Sequence, residues 1–224
     1  MPLSLKTTSA PVAEPVTLDQ AKYQLNIDLT DTDNDTFITG LIPAARHYVE
    51  KKMKRSIFDR SMSYWLDAFP LPYMAGTHGR FRGPLTWFKH FNDINTIEVP
   101  QPGLVSVASI TYLDDNMAMQ TLDPSTYYVD VNSEPGRIRP MQGNIWPIAN
   151  LYASNVVQIN YVSGTWGDGV EVNNCPEDVM QAMMLLISHW YTNRDAAAVA
   201  VPRQIELGVE SLLQGHVFEG GPNH

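Results

Sequence analysis

The sequence feature that most constrains the fold is an apolar segment near the carboxyl end, residues 176–194, which reads PEDVMQAMMLLISHWYTNR. Proline suits the first position of a helix, because the N–H that it lacks would have no partner there. Two rows of apolar side chains follow at helical spacing, and together they form a band too wide for a helix with one wet face. The rows are Val179, Met183, Leu186 and Trp190, and Met180, Met184, Ile187 and Tyr191. The sequence therefore predicts a helix that needs cover on several sides, from the rest of the chain or from neighbouring copies of it.

Length and composition favour one globular domain, or one domain with a large insertion. The chain has 224 residues, of which 44% are hydrophobic and 17% charged, so it can bury a sizeable core. A single cysteine, Cys175, excludes an internal disulfide framework and a cysteine-rich metal site. No run approaches the ~20 apolar residues that a membrane span needs, and the first residues lack the apolar core of a signal peptide. We expect neither a membrane contact nor a cofactor.

The charge balance argues against a protein that grips DNA through its phosphates. The formal net charge is −9, whereas such proteins are basic. Cations nevertheless concentrate in one stretch, where Lys51, Lys52, Lys54 and Arg55 stand together. Their simplest interpretation is a solvated helix end that complements the helix dipole. A contact with an acidic partner or with DNA is the alternative.

The amino-terminal part reads as a flexible arm followed by two helices. Residues 1–15 contain three prolines and mostly small residues, and we expect them to be a free arm. Thr17 is a good N-cap for a short helix, TLDQAKYQL, and a longer helix is predicted from about Asp35 to Arg55. The acidic turn between them is not a calcium loop, since Thr36 and Ile42 stand where such a loop needs glycine and glutamate. We expect a solvated turn there.

From residue 57 the apolar period changes from helical to alternating. Residues 57–173 read as short strands with frequent turns, which predicts an inserted antiparallel β region. A long loop, residues 71–96, interrupts it and mixes cations with aromatic rings; its leading candidates for contacts are Arg80, Arg82, Trp87 and Phe88. Such a mixture can stack bases and hold phosphates, or anchor a protein interface.

The fold class that follows is α+β. Residues 16–56 and 174–215 are predicted to form one helical bundle, with the β region inserted at one end. The last helix lies within RQIELGVESLLQGHVF, and residues 216–224 are expected to be a flexible tail. Within this terminal part we take Arg203 and Phe218 as candidate contact residues.

No catalytic or metal-ligand constellation is visible in the sequence. Cys175 precedes the core helix, and a helix start would lower the pKa of its thiol, so a cysteine nucleophile with His189 as its base is conceivable. No accompanying motif supports it, and packing and capping explain both residues more simply. We therefore expect no enzyme, with a cysteine-dependent enzyme or a β-rich module for nucleic acid or glycan as alternatives.

An ordered series of segments resembles a known family. The series is PVTLDQAKYQLNID, VEKKMKRSI, YWLDAFP, LVSVASITYLDDNMAMQTLDPSTYYVD, GRIRP, NIWP, NVVQINYVSGTWG and CPEDVMQAMMLLISHWYTNRDA. In this order it resembles the head–tail connector proteins of tailed bacteriophages, also called adaptor or head-completion proteins, over roughly residues 15–215. Two departures are the length of the loop 71–96 and a turn at residues 115–118 without the family's glycine.

The resemblance implies a structural protein of the virion neck, assembled in the host cytoplasm. Such proteins form a ring, typically of twelve copies, beneath the portal; the ring extends the DNA channel and offers a platform to the tail, a stopper or a tail terminator. Genomic DNA passes through without sequence-specific binding. The acidic balance suits such a conduit, and the wide apolar band suits a helix packed in a ring.

Overall fold

The computed structural model describes residues 4–70, 95–150, 153–194 and 203–219. Within these ranges the helices are α1 (Leu18–Gln24), α2 (Asp35–Met53), α3 (Glu177–Thr192) and α4 (Arg203–Leu213). The strands are β1 (Ser4–Thr7), β2 (Arg60–Leu66), β3 (Ile97–Glu98), β4 (Leu104–Leu113), β5 (Met119–Thr121), β6 (Tyr127–Asp130), β7 (Arg137–Pro140) and β8 (Val157–Ser163). Two helices precede β2–β8 and two follow them, so the predicted α+β class is confirmed.

The four helices share one apolar core. Both ends of the chain contribute, from Ala21 and Val49 near the start to Leu186 and Val209 near the end. Ile57 and Phe58, which lead into β2, also belong to this core and are fully buried. The helical core therefore closes only when residues more than a hundred positions apart in the chain have met.

α3 begins one residue later than the sequence predicts. Pro176 is its N-cap, with φ −60° and ψ 145°, and not its first helical residue. Extended backbone is the usual conformation of an N-cap, and the pyrrolidine ring allows it as readily as the helical one. The apolar band is placed as predicted: Met183, Leu186 and Ile187 are fully buried, whereas Trp190 and Tyr191 are partly exposed.

A second core lies in the β region. Five antiparallel strands form a sheet in the order β1-β2-β8-β4-β5, and three form a smaller sheet in the order β3-β7-β6. The inward side chains of the large sheet include Tyr64, Ile110 and Ile159, and they share a cluster with Ile138 of the small sheet and with Trp146. The two sheets thus enclose a separate apolar core.

Residues 4–7 correct the prediction of a free arm over residues 1–15. They form β1, which pairs with β2 in the register Ser4↔Trp65 to Thr7↔Met62. The pairing continues as the N–H groups of Thr8 and Ser9 donate to the carbonyl oxygen of Ser61, at 2.9 and 3.4 Å. The arm is held because the edge of β2 offers it a ladder of backbone hydrogen bonds.

The acidic turn before α2 is folded around a buried lysine. Lys22 is only 2% exposed, and its ammonium donates to the carbonyl oxygens of Leu29 (3.3 Å) and Asp31 (2.8 Å). It also pairs with the carboxylate of Asp35 at 2.5 Å. The expectation of a merely solvated turn was therefore incomplete, because the ammonium of Lys22 gathers the oxygens that face it.

Candidate interaction surfaces

Part of the basic cluster at the end of α2 forms ion pairs with carboxylates of the same chain. Lys52 Nζ donates to Glu206 Oε1 at 2.7 Å and to Glu210 Oε1 at 2.8 Å, so one lysine joins α2 to α4. The hydrogen bond that Lys52 donates to Glu206, and then the one it donates to Glu210, raise the pKa of Lys52 above its ordinary value. Arg55 Nη2 donates to Glu134 Oε2 at 3.2 Å. Two of the four predicted contact cations therefore have partners on this chain.

Lys51 and Lys54 are the remaining cations of that cluster. Both are exposed, and neither forms an ion pair with the residues for which the structure gives positions. Lys54 ends α2 in the left-handed conformation, with φ 57° and ψ 32°, and its N–H donates to the carbonyl oxygen of Glu50. These two side chains are the part of the basic cluster that an external partner can reach.

A buried carboxylate beside this end was missed by sequence reasoning. Glu50 is 4% exposed, and its Oε2 accepts from Arg46 Nη1 at 3.0 Å and from Arg60 Nη1 at 3.1 Å. Its Oε1 accepts the backbone N–H of Ile57 at 3.0 Å. Glu14 adds a second carboxylate, which accepts from Arg46 Nε at 2.8 Å. The network fixes the angle between α2 and β2, because it binds the helix, the following turn and the strand at once.

The charge state of this network is set by its own members. Burial alone would lower the pKa of Arg46, but the hydrogen bond to Glu14 and the charge of Glu50 raise it. The guanidinium therefore stays charged inside the fold. The spacing of Arg46 and Glu50, four residues apart on a helix, was the one signal in the sequence that could have suggested the pair.

The two candidate contact residues of the terminal part differ in their exposure to solvent. Arg203 is exposed at the start of α4, where a partner can reach it. Phe218 is only 8% exposed, and its N–H donates to the carbonyl oxygen of Met53 at 2.9 Å. Just before it, His216 Nε2 lies 2.8 Å from Asp178 Oδ2 and its ring meets Trp166 edge-on at 5.4 Å. The prediction of a free tail from residue 216 is therefore wrong for residues 216–218.

The aromatic and cationic loop residues Arg80, Arg82, Trp87 and Phe88 lie outside the described residues. The chain on both sides of that segment is fixed by one tryptophan. Trp146 stacks on Phe69 at 5.2 Å between ring centroids, and its Nε1 donates to the carbonyl oxygen of Asn95 at 2.8 Å. Both ends of the segment are therefore anchored on the β core.

An aromatic clamp joins the end of α3 to the start of α2. The guanidinium of Arg194 lies 4.6 Å from the ring centre of Phe37 and 4.3 Å from that of Tyr191. Its Nη2 donates to Asn34 Oδ1 at 3.0 Å. A cation placed over two rings contributes about 1 kcal/mol at an exposed site.

The structure places Cys175 and His189 too far apart to act as a nucleophile and its base. Cys175 precedes α3 and His189 lies in its last turn, so at 1.5 Å per residue they stand roughly 20 Å apart. Burial, and then the charge of Asp178, raise the pKa of the Cys175 thiol to about 12. The helix start was expected to lower it, but loss of water around the sulfur outweighs the dipole. His189 Nδ1 instead lies 3.0 Å from Asn193 Nδ2.

Metal-binding clusters and membrane-spanning helices are both absent from the part of the chain that the structure describes. Over residues 4–70, 95–150, 153–194 and 203–219, no group of three or more His, Cys, Asp or Glu side chains is arranged to hold a metal ion. In the same part of the chain, none of the helices has the length and apolar character needed to span a bilayer.

Comparison with known proteins bears on the amino-terminal helices. Residues 15–74 match the family model of phage gp6-like head–tail connector proteins. This matched stretch, which we call the connector domain, holds α1, α2 and β2, and with them Glu50 and the two arginines that donate to it. The family resemblance inferred from the sequence is thereby confirmed. No curated protein matches the chain.

Solved structures extend the likeness beyond the connector domain. A chain from the neck of an empty gene transfer agent particle is 18% identical, with a TM-score of 0.66, and the match covers 97% of this chain and 99% of that one. A chain from the virion of a native particle is 15% identical, with a TM-score of 0.67 and coverage of 99% and 98%. A chain from the neck of a native particle is 17% identical, with a TM-score of 0.59 and coverage of 97% and 99%. At these identities the likeness shows that the whole fold is shared.

Proposed function

We propose that this chain is a structural head–tail adaptor that forms a ring in the neck of a tailed phage or phage-like particle. The observation that carries the proposal is the coincidence of two findings on one chain. Residues 15–74 match a connector family, and the complete fold matches chains from the necks and virion of gene transfer agent particles.

The ring is supported by symmetry. The neck structures that share this fold were computed with sixfold and twelvefold symmetry. Twelve copies of this chain around one axis are compatible with both, because twelve is a multiple of six. Head-to-tail contacts between copies close such a ring when the rotation per copy divides the circle.

The charge distribution supports a conduit through which DNA moves without binding. The chain carries a net charge of −9, and several of its cations are neutralised by carboxylates of the same chain. A wall of this kind repels phosphates and gives them no sites at which to stop. The role is mechanical and does not call for catalysis.

For partners we propose the portal protein on one side and the tail, a stopper or a tail terminator on the other. Of the predicted contact residues that the structure describes, Lys51, Lys54 and Arg203 are exposed and available to a partner. Exposed cations of this kind suit an acidic partner surface and contribute mainly to the association rate and its salt dependence.

The decisive experiment is a particle reconstruction of the neck after the purified chain has been added to particles that lack it. We expect added density of ring shape at the head–tail junction and recovery of tail attachment. Absence of the ring, with particles still tailless, would overturn the proposal. The double variant Lys51→Glu/Lys54→Glu tests the contact, with Thr36→Glu/Thr39→Glu, which adds two carboxylates at exposed positions near the start of α2, as the control; we expect only the lysine variant to lose docking.

A further inference from the structure

The outer face of the five-stranded sheet is polar but almost free of charge. Its central row runs across four strands as Lys6, Ser63, Asn160 and Ser109, which are paired in register. The only charged side chain in this row is Lys6, at the edge. We call this surface, with the neighbouring row through Gln158, the neutral face.

The neighbouring row has the same character. Trp65 pairs with Gln158, Gln158 with Thr111, and Thr111 with Thr121 of β5. Ser4 extends the row onto β1. No carboxylate lies in either row, although the chain as a whole carries 24 of them against 15 Lys and Arg residues.

The polar groups at the centre of the neutral face are bonded to one another. Asn160 Oδ1 accepts from Ser63 Oγ at 2.6 Å and from Gln158 Nε2 at 2.9 Å. Asn160 Nδ2 donates to Ser109 Oγ at 3.0 Å. These central side chains lose little when water leaves them, because their hydrogen bonds to one another remain.

Trp65 gives this face an anchor that neither apolar core of the described residues uses. Its partly buried side chain belongs to neither apolar core, and the same holds for Val162, which lies on the same face. The described helices pack on one another, and the small sheet packs on the opposite, apolar face through Ile138. Tryptophan is among the residues most enriched at the energetic centres of protein interfaces, and charged residues are depleted there.

We propose that the neutral face is the surface on which a neighbouring copy of this chain packs in the ring. The inference rests on the proposed function. The charge distribution favours a second copy of this chain as the partner on this face. Identical copies with a net charge of −9 repel one another, and the repulsion is smallest where one copy presents no carboxylate. Five strands spaced about 4.8 Å apart make the face roughly 19 Å wide, enough for a substantial part of a standard interface.

Self-association of the full-length chain tests the inference. In sedimentation velocity over a concentration series, we expect the wild type to form oligomers. Thr111→Glu and Gln158→Glu should weaken self-association by roughly tenfold or more, because each places a carboxylate in a contact that excludes water. Thr36→Glu, which adds the same charge in the exposed first turn of α2, should associate as the wild type does. Unchanged association of the neutral-face variants, or a wild type that stays monomeric throughout the series, overturns the inference.

A cysteine probe covers the case in which the glutamate variants fold poorly. Thr111→Cys should react with a maleimide in the monomer and be protected about tenfold in the oligomer. Background from Cys175 is low, since that side chain is buried. Equal labelling of monomer and oligomer would place the contact elsewhere. If the neutral-face variants still enter necks as the wild type does, this inference fails and the proposed function stands; if the wild type itself does not enter necks, the proposed function fails and the association data still decide the interface.

Discussion

The backbone N–H of Phe218 donates a 2.9 Å hydrogen bond to the carbonyl oxygen of Met53, the last residue of α2. The bond supplies a donor to one of the carbonyl groups that a helix leaves without an internal partner at its end. The phenyl ring of Phe218 is buried at the same place. The carboxyl-terminal segment is therefore part of the folded unit and not only a docking arm.

Truncation after Leu213 should destabilise the protein. Loss of the buried Phe218 ring, its hydrogen bond and the His216–Asp178 contact should lower the free energy of unfolding by about 3 kcal/mol. Urea denaturation followed by circular dichroism measures the change. Truncation after Glu219 is the matched control and should leave the midpoint unchanged. Equal midpoints for both truncations would show that the segment contributes no stability.

Glu50→Gln should be the most damaging single change in the connector domain that alters no volume. It leaves the guanidinium groups of Arg46 and Arg60 without their shared carboxylate, and breaking a buried ion pair costs about 3–5 kcal/mol. Glu210→Gln is the control, because Lys52 keeps Glu206 and an exposed pair contributes less than about 1 kcal/mol. Chemical denaturation of both variants decides; a Glu50 variant as stable as the Glu210 variant would contradict the role of the network.

Leu186→Ala in α3 should destabilise the helical core and should not act directly on any contact with partners. Leu186 is fully buried, and such a truncation costs about 2–5 kcal/mol in proteins of this kind. Met184→Ala, on a partly exposed position of the same helix, should cost clearly less. Thermal unfolding of the two variants gives the comparison. A polar substitution at Met183 or Leu186 should harm assembly through folding, because both side chains are fully buried.

The Cys175 thiol should be unreactive towards thiol reagents in the native protein. Its pKa is raised to about 12 by burial, so at pH 8 it is protonated and shielded, and Ellman's reagent should react with it only after denaturant is added. Rapid reaction without denaturant would contradict the burial.

The same shift predicts how stability depends on alkaline pH. The unfolded chain releases the thiol proton near pH 9, whereas the folded chain keeps it to about pH 12, so stability should fall as pH rises across this window. In Cys175→Ala the fall should be shallower. It should not vanish, because burial also raises the pKa of Tyr64 and of Tyr161. Denaturation midpoints between pH 8 and pH 11, chosen to bracket the expected onset, test the slope.

The sequence could predict elements whose signal is local. β8 is predicted by the alternation of apolar and polar residues in NVVQINYVSG, and in the structure every second residue of that strand is buried. α1 follows from Thr17, whose side chain accepts the N–H of Gln20 while Gln20 Oε1 accepts the N–H of Thr17. Each of these signals is contained within ten residues.

What the sequence could not show depends on distant partners. β1 is too short to have a pattern of its own and becomes a strand only because β2 lies beside it. Lys52 was grouped with its basic neighbours, whereas its partners Glu206 and Glu210 follow more than 150 residues later. The direction of the pKa shift of Cys175 was predicted wrongly for the same reason. The helix start, which lowers a thiol pKa, is visible in the sequence, whereas the burial that raises it exists only in the folded core.

The order in which the helical core is assembled has a consequence for synthesis in the cell. α2 leaves the ribosome with Ile38, Val49 and Met53 uncovered, because their partners on α3 and α4 lie beyond the whole β region. At about 5–20 residues per second, translation needs on the order of ten seconds to deliver them. For that time the nascent chain exposes an apolar helix face, and we expect its folding to depend on chaperones and on the local rate of translation.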